Sequence, residues 1–234
     1  MWAPQLKSFA HDHRVIAPDL PGFGTAAYES DVIDFRGAVR DAMDAAGMER
    51  AALVGTSLGG MVALGVALES PERVSALVLV GAPIDDHDWS DELEELDGVE
   101  MAALERGDRD AAAEAMVRGW VAGPRRQLDD VDPAVRDLVL QMQRRAYELQ
   151  QGTDVRSKQL DPPASQRLAE VSVPTLVLTG EEDFDDIKIM GDRLAAEIPG
   201  ARRAKMSFTA HLPSLERPEE FDRIVLAFLR EHRV

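Results

Sequence analysis

The chain has 234 residues, 45% of them hydrophobic, and carries 26 Lys and Arg against 43 Asp and Glu, a formal net charge of −17. This describes one globular domain able to bury a sizeable core, and an acidic excess without any basic block argues against nucleic acid or an anionic membrane as partner. Cysteine is absent, which removes disulfides, thiolate nucleophiles and thiolate-ligated metals, and no apolar run approaches the roughly 18 residues of a membrane span. The N-terminal stretch lacks the basic start and apolar centre of a signal peptide, so the cytoplasm is the expected compartment.

In chain order, short β-branched or leucine-rich runs alternate with helical patterns, as in a parallel sheet with crossover helices. The first expected strand is 15–17. Residues 31–46 read as a helix because Val32, Phe35, Val39, Ala42 and Met43 recur at helical spacing and Gly47 follows. A strand at 52–54 leads through Ser57 into a helix at 58–68, which stops before Pro71, and the next strand is 75–80. From 84 to 170 the rhythm gives way to helical segments at 93–105, 109–121 and 133–150, separated by Gly107 and by Gly123-Pro124. An insertion of that size reads as a helical cap over the strand ends. Pro174 then opens a strand at 175–178, the last strand is 203–206, and a helix starts near Pro218. The expected organisation is an α/β core formed by 1–83 and 171–234, with the cap at 84–170.

The most informative segment is Leu53-Val54-Gly55-Thr56-Ser57-Leu58-Gly59-Gly60, an apolar strand running through Gly-x-Ser-x-Gly into a helix. A nucleophile elbow needs small residues around a strained serine, and Gly55 and Gly59 supply that room. The Leu58 amide, at the helix N-terminus, is an oxyanion donor. Serine is a poor nucleophile alone, so a base and an orienting acid should follow. His211 lies in a loop after the 203–206 strand, and Asp183 follows the 175–178 strand just beyond Gly180. The order Ser57, Asp183, His211 suits a hydrolase sheet. Asp185 and Asp186 compete for the acid's role, as do Asp85 and Asp86 after the preceding strand.

With these motifs in place, the chain resembles the α/β-hydrolase superfamily with a helical cap. The likeness extends to Val15-Ile16-Ala17-Pro18-Asp19-Leu20-Pro21-Gly22-Phe23-Gly24, to Pro71-Glu72-Arg73-Val74, and to Ala210-His211-Leu212-Pro213-Ser214-Leu215-Glu216-Arg217-Pro218-Glu219-Glu220-Phe221. Among its branches the chain is most similar to small-molecule hydrolases of the oxoadipate enol-lactonase type. The resemblance implies a mostly parallel sheet flanked by helices. It also implies a serine hydrolase acting on a small-molecule ester or lactone without cofactor or metal. In the family, the acid usually stands three residues after the glycine, which supports Asp183.

The resemblance also predicts a departure. The family's Trp of the Met-Trp-Ala-Pro stretch follows a strand ending in a His-Gly segment, whose loop supplies a second oxyanion donor; here the chain begins at Met1-Trp2. An N-terminally truncated hydrolase core, short for this sheet, is therefore expected, and a lost oxyanion donor costs on the order of 100- to 1,000-fold in rate. Carbon–carbon bond hydrolysis and cofactor-free perhydrolysis use similar serine sites, and a silent small-molecule binder is the alternative outside enzymes. The glycines of Gly22-Phe23-Gly24-Thr25-Ala26-Ala27 stand too far from a strand–helix turn for a dinucleotide site. His11-Asp12-His13 and Asp86-His87-Asp88 read as solvated stretches rather than metal sites. So does the acidic stretch 85–100, as an outer face of the cap. Trp89, Met116, Trp120, Met142 and Tyr147 suit either a pocket lining or the cap's packing.

Overall fold

The computed structural model describes residues 1–150 and 155–234. In chain order the helices and strands are α1 (Ala3–Phe9), β1 (Val32–Ile33), α2 (Phe35–Ala45), β2 (Ala51–Thr56), α3 (Leu58–Glu69), β3 (Val74–Val80), α4 (Asp91–Glu105), α5 (Arg109–Met116), α6 (Pro133–Gln150), β4 (Arg156–Ser157), β5 (Thr175–Gly180), α7 (Asp185–Glu197), β6 (Arg202–Met206), α8 (Pro213–Glu216) and α9 (Pro218–Glu231).

Four strands make a parallel sheet in the order β2-β3-β5-β6, and β1 with β4 makes a separate two-residue parallel bridge. The continuous apolar runs of β3 and β5 are what strands covered on both faces require. Their side chains alternate between two layers. Leu77, Leu79 and Val177 pack with Leu64 of α3 and with Ile187, Met190 and Leu194 of α7. Ala76, Val78, Val80, Leu176 and Leu178 pack with Phe9 of α1 and with Phe221, Val225 and Phe228 of α9. The result is a sheet between two helical layers, with the loops at the strand C-termini free to carry chemistry.

Three of the expected helices and strands need correction. Residues 15–17 form no strand; a strand exists only beside a partner, and among the described residues the sheet ends at β2, which pairs with β3 alone. The helix expected from residue 31 starts at Phe35. Asp34 ends its N-terminus by accepting from Gly37 N at 2.8 Å, while Val32 sits in the β1 bridge, 56% exposed, so its place in the apolar spacing has no packing behind it. The helix expected over 109–121 stops at Met116 and widens into a π-helical turn, Val117–Ala122. Gly123 ends that turn at φ 76, and a Cβ there would lie 2.3 Å from Glu182 O. Only glycine lets the segment close on the core.

Ala103 of α4, Ala112 and Ala113 of α5 and Tyr147 of α6 share one small core. Residues 151–154, within the expected cap at 84–170, lie outside the described residues. The acidic stretch 85–100 is not simply a solvated face. Asp85 accepts from Ala164 N at 2.9 Å and Ser165 N at 3.0 Å, stapling the chain leaving the core at β3 to the chain returning to β5. Asp86 pairs with Arg193 at 2.6 Å, and Glu100 accepts from the Tyr147 hydroxyl. No helix among the described residues is long and apolar enough to cross a membrane.

Candidate active site

At the C-terminal end of β2 the backbone turns sharply into α3. Ser57 carries that turn at φ 53, ψ −121, a region costly for any residue with a Cβ and one that functional turns retain. Its amide donates to Val80 O at 2.8 Å, tying the turn to β3. The glycine preceding it by two is sterically required: a Cβ on Gly55 would stand 2.2 Å from Gly59 O. Gly59 itself needs a different account from the one its motif position suggests, because a Cβ there would meet nothing within 4 Å. Its carbonyl fills the space that Gly55 leaves. Leu58 is the first residue of α3, and an amide at that position has no acceptor inside its own helix and lies at the positive end of the helix dipole.

Asp183 and His211 meet at the ends of β5 and β6. His211 Nδ1 and Asp183 Oδ2 are 2.8 Å apart, and Asp183 Oδ1 accepts from Phe184 N at 2.9 Å. Both side chains are buried, 4% and 1% exposed as residues. A carboxylate on Nδ1 places the proton there and leaves Nε2 with its lone pair. Nε2 is buried and has no hydrogen-bond partner among the described residues. The imidazole is also held from the helical segment before Gly123: its ring lies against Trp120 at 4.3 Å between centroids and tilted by 46°, Trp120 meets Phe184 at 5.1 Å, and His211 N donates to Trp120 O at 3.2 Å.

The competing carboxylates are engaged elsewhere. Asp185 binds Arg125 at 2.7 Å and Lys188 at 2.8 Å, and the Lys188 hydrogen bond holds its carboxyl below the usual range. Asp186 accepts from Ser90 N and Oγ at 2.9 and 2.7 Å and faces His87 Nε2 at 2.9 Å. Burial opposes its ionisation, but these partners prevail and keep its carboxyl below the usual value. Asp85 is taken up by Ala164 N and Ser165 N, and Asp86 by Arg193.

Ser57, Leu58 and His211 open on one cleft of about 2060 Å³, walled by Met116, Trp120, Val139 and Met142 and continuing along the free edge of β2. The structure thus pairs Asp183 with His211 and sets Ser57 in the same cleft, without a hydrogen bond from the serine to Nε2. Of the aromatic and methionine residues singled out in the sequence, Met116, Trp120 and Met142 wall the cleft, Tyr147 packs inside the cap, and Trp89, 40% exposed, lies edge-on to His87. No group of three or more His, Asp or Glu among the described residues is placed to hold a metal ion.

Sequence reasoning missed Phe184, the contact of Trp120 with His211, and three charged residues. Arg125 donates to Asp183 O at 2.9 Å. Arg126 pairs with Glu216 at 2.7 Å, and Glu216 accepts from Ala210 N at 2.9 Å. Burial pushes the Glu216 carboxyl up, with Arg126 opposing it. Glu216 carried one signal, its place in the His211 motif; the two arginines carried none.

The profile of the alpha/beta hydrolase fold family matches residues 1–218. A 2-hydroxy-6-oxo-6-phenylhexa-2,4-dienoate hydrolase of Comamonas testosteroni is 30% identical over 94% of this chain and 78% of its own length. Carboxylesterase YbfK of Bacillus subtilis is 28% identical over 98% of this chain and 75% of its own. Among solved structures, the enol-lactonase from Burkholderia xenovorans LB400 superposes with a TM-score of 0.76, covering 98% of this chain and 85% of that one at 23% identity, a likeness of fold.

Proposed function

The chain belongs to the alpha/beta hydrolase family and is an enzyme of that family, and on this premise we propose that it is a serine hydrolase cleaving a small-molecule ester or lactone through an acyl-enzyme. The observation that carries the reading is the buried Asp183–His211 pair, whose unpartnered Nε2 belongs to the cleft that holds Ser57. Ser57 Oγ attacks the substrate carbonyl while His211 Nε2 takes its proton, and Asp183 holds Nδ1–H and stabilises the imidazolium. The carbonyl oxygen becomes an oxyanion beside the Leu58 amide. As the tetrahedral intermediate collapses, the bond to the leaving oxygen breaks and that oxygen takes the proton from Nε2. Water then attacks the acyl-enzyme, giving its proton to Nε2, and Ser57 Oγ recovers a proton as the acid departs.

The apolar wall of Met116, Trp120, Val139 and Met142 suits an uncharged acyl group. The carboxylesterase relative supports the ester reading, and the dienoate hydrolase relative makes carbon–carbon bond hydrolysis the competing reading. The test is a fluorophosphonate probe followed by turnover of p-nitrophenyl acetate. Labelling and ester turnover in the unaltered protein, both lost in Ser57→Ala, support the proposal. A folded sample that neither labels nor turns over esters sinks it.

A further inference from the structure

Residues 121–126, which leave the π-helical turn, lie against both loops that carry the base and the acid. Arg126 donates Nε to Ala122 O at 2.9 Å and Nη2 to Val121 O at 2.7 Å, closing the end of the turn that precedes it. The same guanidinium donates Nη1 to Phe208 O at 2.9 Å and Nη2 to Glu216 Oε2 at 2.7 Å. Glu216 Oε1 in turn accepts from Ala210 N, next to His211, at 2.9 Å. This ion pair is buried, its side chains 13% and 4% exposed. Arg125 performs the matching contact on the other loop, donating Nη1 to the backbone oxygen of Asp183 itself at 2.9 Å and Nη2 to Asp185.

A second observation bears on the same loop. Phe208 sits at φ 59 and is 71% exposed as a residue, so its packing does little to offset a backbone conformation that is costly for a bulky residue. The loop is held from outside instead, by Arg126 on the Phe208 carbonyl and by Glu182 N on Thr209 O at 2.9 Å. A fork of five donors can bridge two carbonyls of the preceding turn, a third on a distant loop and a carboxylate; a lysine ammonium cannot span them.

We propose that Arg126, assisted by Arg125, is the positioning residue that sets His211 against Asp183 and Ser57, so that turnover depends on where this cap segment sits. The inference rests on the serine-hydrolase reading above. Arg126 touches no reacting atom; it acts by holding the residues on either side of the base. Misplacing a catalytic group by about 1 Å costs on the order of 100-fold in rate.

The test pairs Arg126→Met with Glu216→Gln, which removes both charges together and keeps an acceptor for Ala210 N, so no carboxylate is left buried alone. Near-UV circular dichroism reports the fold, and kcat and KM for p-nitrophenyl acetate with the rate of Ser57 phosphonylation report the site. The expected result is a folded protein with kcat and phosphonylation both reduced about 100-fold and KM changed by no more than about threefold. Arg126→Lys recovers less than half of the lost rate. Guanidinium chloride at tens of millimolar restores part of the turnover of Arg126→Gly and none of that of Ser57→Ala. A folded double variant with unaltered kcat overturns the positioning role, as does a loss confined to KM. Should the double variant not fold, Arg126→Lys decides: kcat equal to that of the unaltered protein overturns the role. An unaltered protein that neither labels at Ser57 nor turns over esters overturns the hydrolase reading instead, a result visible before any variant is made.

Discussion

Ser57 and His211 face one cleft, yet different forces hold them. The serine turn is set by backbone and shape: a strand packed on both faces behind it, a helix starting at the next residue, and a glycine whose missing Cβ makes room for the Gly59 carbonyl. The imidazole stands on a loop whose Thr209 and Ala210 are buried, and what holds it is a set of specific partners: a buried carboxylate, the Trp120 ring and an arginine–glutamate pair. One side should answer to steric change and the other to the deletion of charge or polar partners. Apolar packing tolerates small adjustments, whereas a buried polar network loses more than one contact when one member goes.

Substitutions can break that comparison. The largest effect belongs to His211→Ala, expected to lower kcat/KM by more than about 1,000-fold while far-UV circular dichroism keeps its native form; retained turnover would move the base elsewhere. On the steric side, Gly55→Ala pushes a methyl into the Gly59 carbonyl and should cost about 1–3 kcal/mol in urea denaturation, with turnover falling as Ser57 shifts. An unaltered midpoint there would mean that the elbow yields, contrary to the contrast drawn here.

Smaller effects sharpen the picture within the cap. Asp108 caps α5 by accepting from Ala111 N at 3.0 Å, and Asp108→Ala should cost about 1 kcal/mol of stability with kcat untouched. A fall in kcat comparable to that of the Arg126 variants would make the cap's general stability, rather than one guanidinium, the relevant quantity. Glu100→Gln tests a buried charge. Burial pushes the Glu100 carboxyl above the ordinary glutamate value, against the Tyr147 hydrogen bond, and burial with Glu100 nearby pushes the Tyr147 phenol up as well. A raised folded-state value favours the protonated form, so this contribution to stability is complete below the ordinary glutamate pKa and is lost as pH rises through the raised one. Thermal unfolding followed from mildly acidic to neutral pH should show that decline in the unaltered protein and a flatter profile, with higher neutral Tm, in Glu100→Gln.

The elements that could be read from sequence are those whose cause is local. Strands β3 and β5 announced themselves as short apolar runs, and the turn at Ser57 through glycines around a serine between a strand and a helix pattern. Residues 15–17 misled because the same β-branched composition makes a strand only where a partner lies alongside. Val32 misled because periodicity records where an apolar residue falls, not whether anything covers it. Asp183 could be placed near His211 by its position after Gly180, although Asp185 and Asp186 offered the same side chain; what separates them is the set of partners each meets in space. Arg125 and Arg126 were invisible for the same reason, since Arg126 meets Phe208 and Glu216 across 82 and 90 positions of sequence. A salt bridge at that separation leaves no periodic trace.

The contact of Trp120 with His211 also equips the molecule with an optical reporter. An indole in contact with an imidazole loses fluorescence when the imidazole becomes cationic, because the imidazolium accepts an electron from the excited ring. Of the three tryptophans, Trp120 lies against His211, Trp89 against His87, and Trp2 against Phe221. Replacing Trp2 and Trp89 by phenylalanine would leave an emission that reports the surroundings of one imidazole, read without substrate, label or turnover.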